Sequence, residues 1–245
     1  MIPVMKKTKD NDLFLSVALS YIPRIFQLCD KNPLSATYGS FDRSFWHYKT
    51  SDFPSGMYQE SVLPLALVYQ NPFPGNVWFG QERVKELCLA GIQYGRFSSH
   101  SDGSCDDYYP NERALGATSF ALYTATESYL ILDFKQAELV DFFKKRGNFL
   151  ASQKEAGQLS NHLALAALAL YNVYLITNES YYKSVAELKI KQLLSWQDSE
   201  GWFYEYEGCD PGYLTATISF LSKYFKKSSD QNVVEPLKKA IQFAS

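Results

Sequence analysis

An alternation of two kinds of helix at a period of about fifty residues constrains this chain more than any other feature. Apolar periodicity predicts helices over roughly 11–29, 55–70, 80–98, 111–131, 134–152, 160–177, 179–196, 210–226 and 231–244, and few runs alternate at period two. The helices starting near 55, 111, 160 and 210 are apolar on several faces, as in Leu163-Ala-Leu-Ala-Ala-Leu-Ala-Leu170. A helix apolar most of the way round must be buried. Those near 80, 134, 179 and 231 carry charges along one side, as in Tyr181-Tyr-Lys-Ser-Val-Ala-Glu-Leu-Lys-Ile190, and keep that side in water. The buried-type starts recur at spacings of 56, 49 and 50 residues, so each unit is one inner and one outer helix.

Capping signals mark the starts: Ser55 before Gly56, Asp133 before Phe134, Ser160 before Asn161, Asn178 with Glu179 and Ser180, and Asp210 with Pro211. Two of the preceding segments match weakly, Ser101-Asp-Gly103 and Ser199-Glu-Gly201. Such hairpins build either an α/α toroid or an open solenoid. The long connections before the inner helices favour the toroid, here an all-α incomplete ring of about four to five hairpins forming one domain over residues 1–245.

Composition narrows the partners. With 46% hydrophobic residues, 20% charged residues and a net charge of -2, the 245-residue chain has neither the profile of a disordered protein nor the basic excess that binds phosphate backbones, so no nucleic acid is expected. No run reaches the length of a transmembrane segment. The lysines at the amino terminus follow a short apolar stub, with no apolar run and cleavage site of an export signal behind them, which gives the expectation of a cytoplasmic protein. Cys29, Cys88, Cys105 and Cys209 are scattered and read as free thiols.

The connections before the inner helices hold the chemistry-bearing residues, over 39–55, 100–112, 154–162 and 199–213. If the inner helices run the same way, all four meet at one mouth. His47, His100 and His162 sit in or beside them, with Trp46, Trp202 and many tyrosines. Aromatic faces flanked by carboxylates and amides suit a glycan or oligosaccharide ligand, whose C–H faces lie on rings while its hydroxyls take hydrogen bonds. The alternative is that these rings only pack the connections over the helix ends.

His162, in the first turn of the most apolar helix, is a candidate proton acceptor, the alternative being a histidine hydrogen-bonded within the core. Tyr108, Tyr109, Tyr204, Tyr206 and Tyr213 are candidate proton-transfer or stacking groups. Asp106, Asp107, Glu112, Glu205, Glu207 and Asp210 supply enough carboxylates for the acid–base pair of glycoside hydrolysis, although several suit helix caps, Asp210 above all. The stretch from Asp102 lacks the glycine and glutamate of a calcium loop, and the three scattered histidines without paired cysteines give no zinc site. Neither a metal nor a cofactor is expected, since nucleotide-binding and hydrolase-elbow motifs are absent too.

In Phe41-Asp-Arg-Ser-Phe-Trp-His-Tyr48, Asp102-Gly-Ser-Cys-Asp-Asp-Tyr-Tyr-Pro-Asn-Glu112, the pair Asn161-His162 and Glu207-Gly-Cys-Asp-Pro-Gly-Tyr213, the chain resembles the helical domain of the heparinase II/III and alginate lyase group of polysaccharide lyases. The resemblance implies β-elimination on a uronic-acid glycan, with Asn161 neutralising the uronate carboxylate, His162 as base, a tyrosine among 108, 109, 204 and 206 as acid, and Arg43 or Arg113 holding a carboxylate. Those lyases carry a β-sandwich over the cleft; no β-rich stretch stands here, so a partner chain is a candidate cover. Against a polyanion, six carboxylates in these connections face only Arg43, Lys49 and Arg113. Three functions follow as expectations: a polysaccharide lyase, a glycoside hydrolase using paired carboxylates (Asp106, Asp107 or Glu205), and a non-catalytic glycan-binding protein using Trp46, His47 or Trp202.

Overall fold

The structure, a computed structural model, describes residues 9–155 and 157–245. The stretch 1–8, on which much of the export expectation rests, lies outside the described residues, as does Ala156 in the third connection. The α-helices are α1 (Lys9–Leu28), α2 (Val62–Gln70), α3 (Glu82–Phe97), α4 (Leu115–Ile131), α5 (Ala137–Ser152), α6 (Ser160–Thr177), α7 (Ser180–Leu194), α8 (Pro211–Ser228) and α9 (Val234–Ala244), with a two-stranded hairpin of β1 (Tyr204–Glu205) and β2 (Gly208–Cys209). Among the described residues no helix is long and apolar enough to cross a membrane. Cys29, Cys88 and Cys105 are buried thiols and Cys209 an exposed one, all unpaired.

Helices α2, α4, α6 and α8 pack side by side in chain order, with α3 against α2, α5 against α4 and α6, α7 against α6, and α9 against α8. The inner four run in one direction. Gly116 meets His162 near the start of α4 and α6, and Asn172 Nδ2 donates to Glu127 Oε2 at 2.8 Å near their ends. In α6 every residue from Leu163 to Val173 is buried, as its apolar run from Leu163 to Leu170 requires, with Asn172 the buried polar exception. Helix α8 also reaches α4, where the rings of Phe120 and Phe220 meet edge to face at 5.9 Å.

Each connection is fastened to the outer helix of its own unit. Gly39 (φ +89°) lies so close to α3 that a Cβ there would fall 2.2 Å from the Ala90 carbonyl oxygen; Gly103 (φ +90°) would meet Arg146 N of α5 at 2.8 Å, and Gly201 (φ +109°) Lys239 O of α9 at 2.6 Å. Only glycine combines a left-handed backbone with that approach. The third unit uses a side chain instead: buried Lys189 of α7 donates from Nζ to Gln153 O at 3.1 Å. The weak match of Ser101-Asp-Gly103 with Ser199-Glu-Gly201 is therefore the trace of a shared anchor. Gly103→Ala and Gly201→Ala are each expected to lower stability by about 2–4 kcal/mol, through left-handed strain plus a backbone clash, in a urea melt.

Several helix starts differ from their sequence expectation. Ser55 caps as expected, accepting from Met57 N at 3.3 Å, but opens a 3-10 turn over Gly56–Ser61 before α2. Asp210 also caps, accepting from Tyr213 N at 2.9 Å. Asp133 does not cap: it is left-handed (φ +51°) and α5 begins after Gln136. Ser160 is already helical and turns its hydroxyl outward to donate to Tyr204 O at 2.7 Å. Asn178 closes α6 in a left-handed conformation rather than capping α7. The segment 111–114 stays outside α4 because Asn111 and Arg113 are left-handed (φ +63° and +53°).

Candidate functional site

The four connections meet at the amino-terminal ends of the inner helices. Ser55 Oγ donates to Asp107 Oδ1 at 2.9 Å, Gly56 N–H donates to Asp106 O at 2.7 Å, and the His162 ring lies flat on Gly116, where a Cβ would come within 2.9 Å of it. The fourth joins through the hairpin. Asn161 donates its backbone N–H to Glu205 Oε1 at 2.6 Å and its Nδ2 to Glu205 Oε2 at 2.9 Å, and Thr217 Oγ1 reaches the same carboxylate at 3.5 Å.

Glu205 is thus a helix cap supplied from 44 residues away, a carboxylate facing the free N–H groups of α6. Burial raises its carboxyl pKa, and the Asn161 donors and the His162 charge offset only part of that. Asn161 is 2% exposed and gives its backbone N–H and one Nδ2 N–H to Glu205 inside the protein. His162 is a quarter exposed and directs Nδ1 to Glu155 Oε2 at 3.3 Å.

In the second connection, buried Asp106 is an organiser. Its Oδ1 takes the Arg113 N–H at 3.0 Å and the His100 ring nitrogen at 2.8 Å, and its Oδ2 takes the Asn111 N–H at 2.8 Å. Burial raises its pKa, but the Arg113 amide, His100 and the Asn111 amide together outweigh it and hold the carboxyl below its ordinary range. Glu112 Oε2 gathers the N–H groups of Asp107, Tyr108 and Tyr109, leaving the Tyr108 and Tyr109 rings exposed. The Arg113 guanidinium pairs with Asp102.

In the first connection, Trp46 Nε1 donates to Leu28 O at 2.8 Å and Arg43 Nη1 to Gln27 O at 3.1 Å, pinning the segment to the last turn of α1. His47 is held between the rings of Trp46 (5.0 Å) and Tyr48 (4.9 Å). In the fourth, Trp202 packs against Tyr204 at 4.8 Å with the rings tilted by 59°, and Tyr206 against Tyr213 at 5.6 Å tilted by 52°. The structure thus gathers Asp106 with Asp107, and Asn161 with His162 and Glu205, while Arg43 and Trp46 are turned to α1.

Away from these contacts lies an open cleft of about 370 Å³ lined by Phe120, Tyr123, Thr124, Phe220, Lys223 and Glu60, with Ile25 of α1 at one side. That volume and its ring-rich wall suit a small polar–apolar ligand. Glu60 is the residue sequence reasoning missed. It lies in the 3-10 turn before α2, and no hydrogen bond to its carboxylate occurs among the described residues. Burial pushes its carboxyl up to about 7, with the Asp107 charge adding to the rise. Asp107 is raised too, chiefly by burial and further by Glu112, against the Ser55 hydrogen bond. The signal was present: Glu60 is the single acid in a stretch from Gly56 to Tyr69 otherwise apolar or neutral.

Across the cavity, Lys223 Nζ lies over the rings of Tyr123 (5.5 Å) and Phe220 (5.6 Å), and burial lowers its pKa while Glu127 opposes the fall. Glu127 is itself paired with Lys227 at 3.0 Å. A larger groove of about 830 Å³, between α7 and Asp230–Asn232 on the outer layer, has no aromatic ring in its lining. Among the described residues no three His, Cys, Asp or Glu side chains come together as a metal cluster. Comparison with known proteins finds no match to any protein family, curated protein or solved structure, so the resemblance to the toroid lyases rests on its short motifs alone.

Proposed function

We propose that the chain is a carbohydrate-active enzyme built as an incomplete α/α toroid, cleaving a glycosidic bond by acid–base catalysis in the open cleft. The observation that carries this reading is Glu60 in the lining of a cleft walled by Phe120, Tyr123 and Phe220, with Asp107 outside that lining but near enough for its charge to raise the Glu60 carboxyl. Two carboxyls of unequal proton affinity are the equipment of glycoside hydrolysis. Glu60, near half-protonated at neutral pH, is the general acid to the leaving oxygen; Asp107, whose Ser55 hydrogen bond favours the ionised form, is the base or nucleophile. The aromatic wall receives the sugar face.

This reading is preferred to β-elimination because the amide that a lyase needs for the substrate carboxylate, that of Asn161, is committed to Glu205. The Glu60 carboxyl in the lining, with Asp107 nearby, also disfavours a polyanion. Reducing-end release from a panel of neutral and acidic oligosaccharides tests it. Activity should fall by about 10²–10⁴-fold in both Glu60→Gln and Asp107→Asn. Full activity in both variants removes the assignment, and an unsaturated product with a new ultraviolet absorbance restores elimination as the chemistry.

A further inference from the structure

The segment Trp202-Phe-Tyr-Glu-Tyr206 alternates strictly. Phe203 and Glu205 are buried and face the helices, whereas Trp202 and Tyr204 are half-buried and Tyr206 is 62% exposed. One edge of the hairpin thus carries three rings at two-residue spacing, the first two 4.8 Å apart, and Tyr213 (40% exposed) extends the row from the start of α8 at 5.6 Å from Tyr206. The four rings thus form two neighbouring pairs, Trp202 with Tyr204 and Tyr206 with Tyr213, following one another along the chain.

The turn that presents Tyr206 is strained. Glu205 pairs with Gly208, which leaves a two-residue loop in which both Tyr206 (φ +50°) and Glu207 (φ +70°) are left-handed. Asn-Gly is the relaxed solution for such a turn. Tyr206 is kept there against the Tyr213 ring while remaining 62% exposed, so the strained tip presents an aromatic pair to solvent. Between Gln197 and Tyr213 the chain has no lysine or arginine but five acids, Asp198, Glu200, Glu205, Glu207 and Asp210. Glu200 accepts the Trp202 indole N–H at 3.1 Å, so an acid stands beside the rail itself.

We infer that the Trp202–Tyr204–Tyr206–Tyr213 row is a docking rail for an extended, uncharged polysaccharide, lying outside the cavity and holding the polymer while one linkage is processed. The rings supply stacking faces at successive positions, and the flanking acids accept hydroxyl hydrogen bonds while repelling uronates and sulfates. The inference rests on the carbohydrate reading above and deepens it from a ligand-sized site to a polymer.

The test uses the full chain carrying Glu60→Gln, so that nothing is turned over, in affinity electrophoresis through glucomannan and through polygalacturonate. It should be retarded by glucomannan and not by polygalacturonate. Adding Tyr206→Asn with Glu207→Gly should weaken the glucomannan retardation at least tenfold while raising Tm by roughly 3–6 °C, because the relaxed turn removes strain together with the ring. Unchanged retardation, preference for polygalacturonate, or a lowered Tm each overturns the rail while leaving the cavity reading in place. Retardation by neither polymer, together with no reducing-end release by the wild type on the oligosaccharide panel, overturns both.

Discussion

Glu60→Gln will unfold at the same temperature as the wild type at pH 4 and well above it at pH 8, while losing catalysis. A carboxyl whose folded-state pKa lies above its unfolded value binds its proton more tightly in the folded protein. Its contribution to stability is therefore complete below the unfolded value, near 4.5, and is lost as pH rises through about 7. Ionising Glu60 in the folded state costs about 3 kcal/mol by this shift. Glutamine carries no proton to lose, so the variant escapes that cost, and Tm at pH 8 should rise by roughly 6–10 °C. Differential scanning calorimetry across pH 4–8 checks the sign. A variant that melts below the wild type at pH 8 would mean that Glu60 is ionised and held by partners, and the general-acid role would go with it. A group that destabilises its host at working pH yet sits on a cavity wall is the trade-off expected of an active site.

Glu205→Ala should be the most damaging single change in the rim, at about 3–4 kcal/mol. It leaves the Asn161 backbone N–H and Nδ2 without acceptors at the buried start of α6 and also unties the hairpin from it. Glu205→Gln should cost about 2 kcal/mol, since one of its two oxygens becomes an NH₂ facing the Asn161 NH₂. Chemical denaturation separates the two. A loss below 1 kcal/mol in Glu205→Ala would show that the burial that raises this carboxyl's pKa cancels what its hydrogen bonds contribute, so that the cap is energetically neutral.

The helix-pair period was legible because burial writes itself into composition: α6 has no polar face to hide, and α7 has one. The anchors were half legible, as an Asp-Gly and a Glu-Gly repeat whose meaning needed the outer helix to be in view. What sequence could not supply were partners distant along the chain. Ser160 looked like the cap of α6 because Ser is locally the best cap available, and a glutamate 44 residues later displaced it. Asp133 failed for a local reason, a left-handed backbone that moved the start of α5 past it. Glu60 carried no local signal as strong as those of the polar connections, because its raised pKa arises from the desolvating walls of a cleft built by α4 and α8, far along the chain.

Because every rim connection is fastened to the second helix of its own unit, by Gly39, Gly103, Gly201 or the Lys189 ammonium, the fixed point of each lies upstream of its variable part. Segments beyond those fixed points can vary only where they spare the residues that tie one unit to the next, Asp106 and Asp107 to Gly56 and Ser55 and Glu205 to Asn161. A scaffold fastened this way can change what it recognises at the exposed tips of its connections, and a graft that keeps both the anchor glycine and these ties should leave the remaining connections in register.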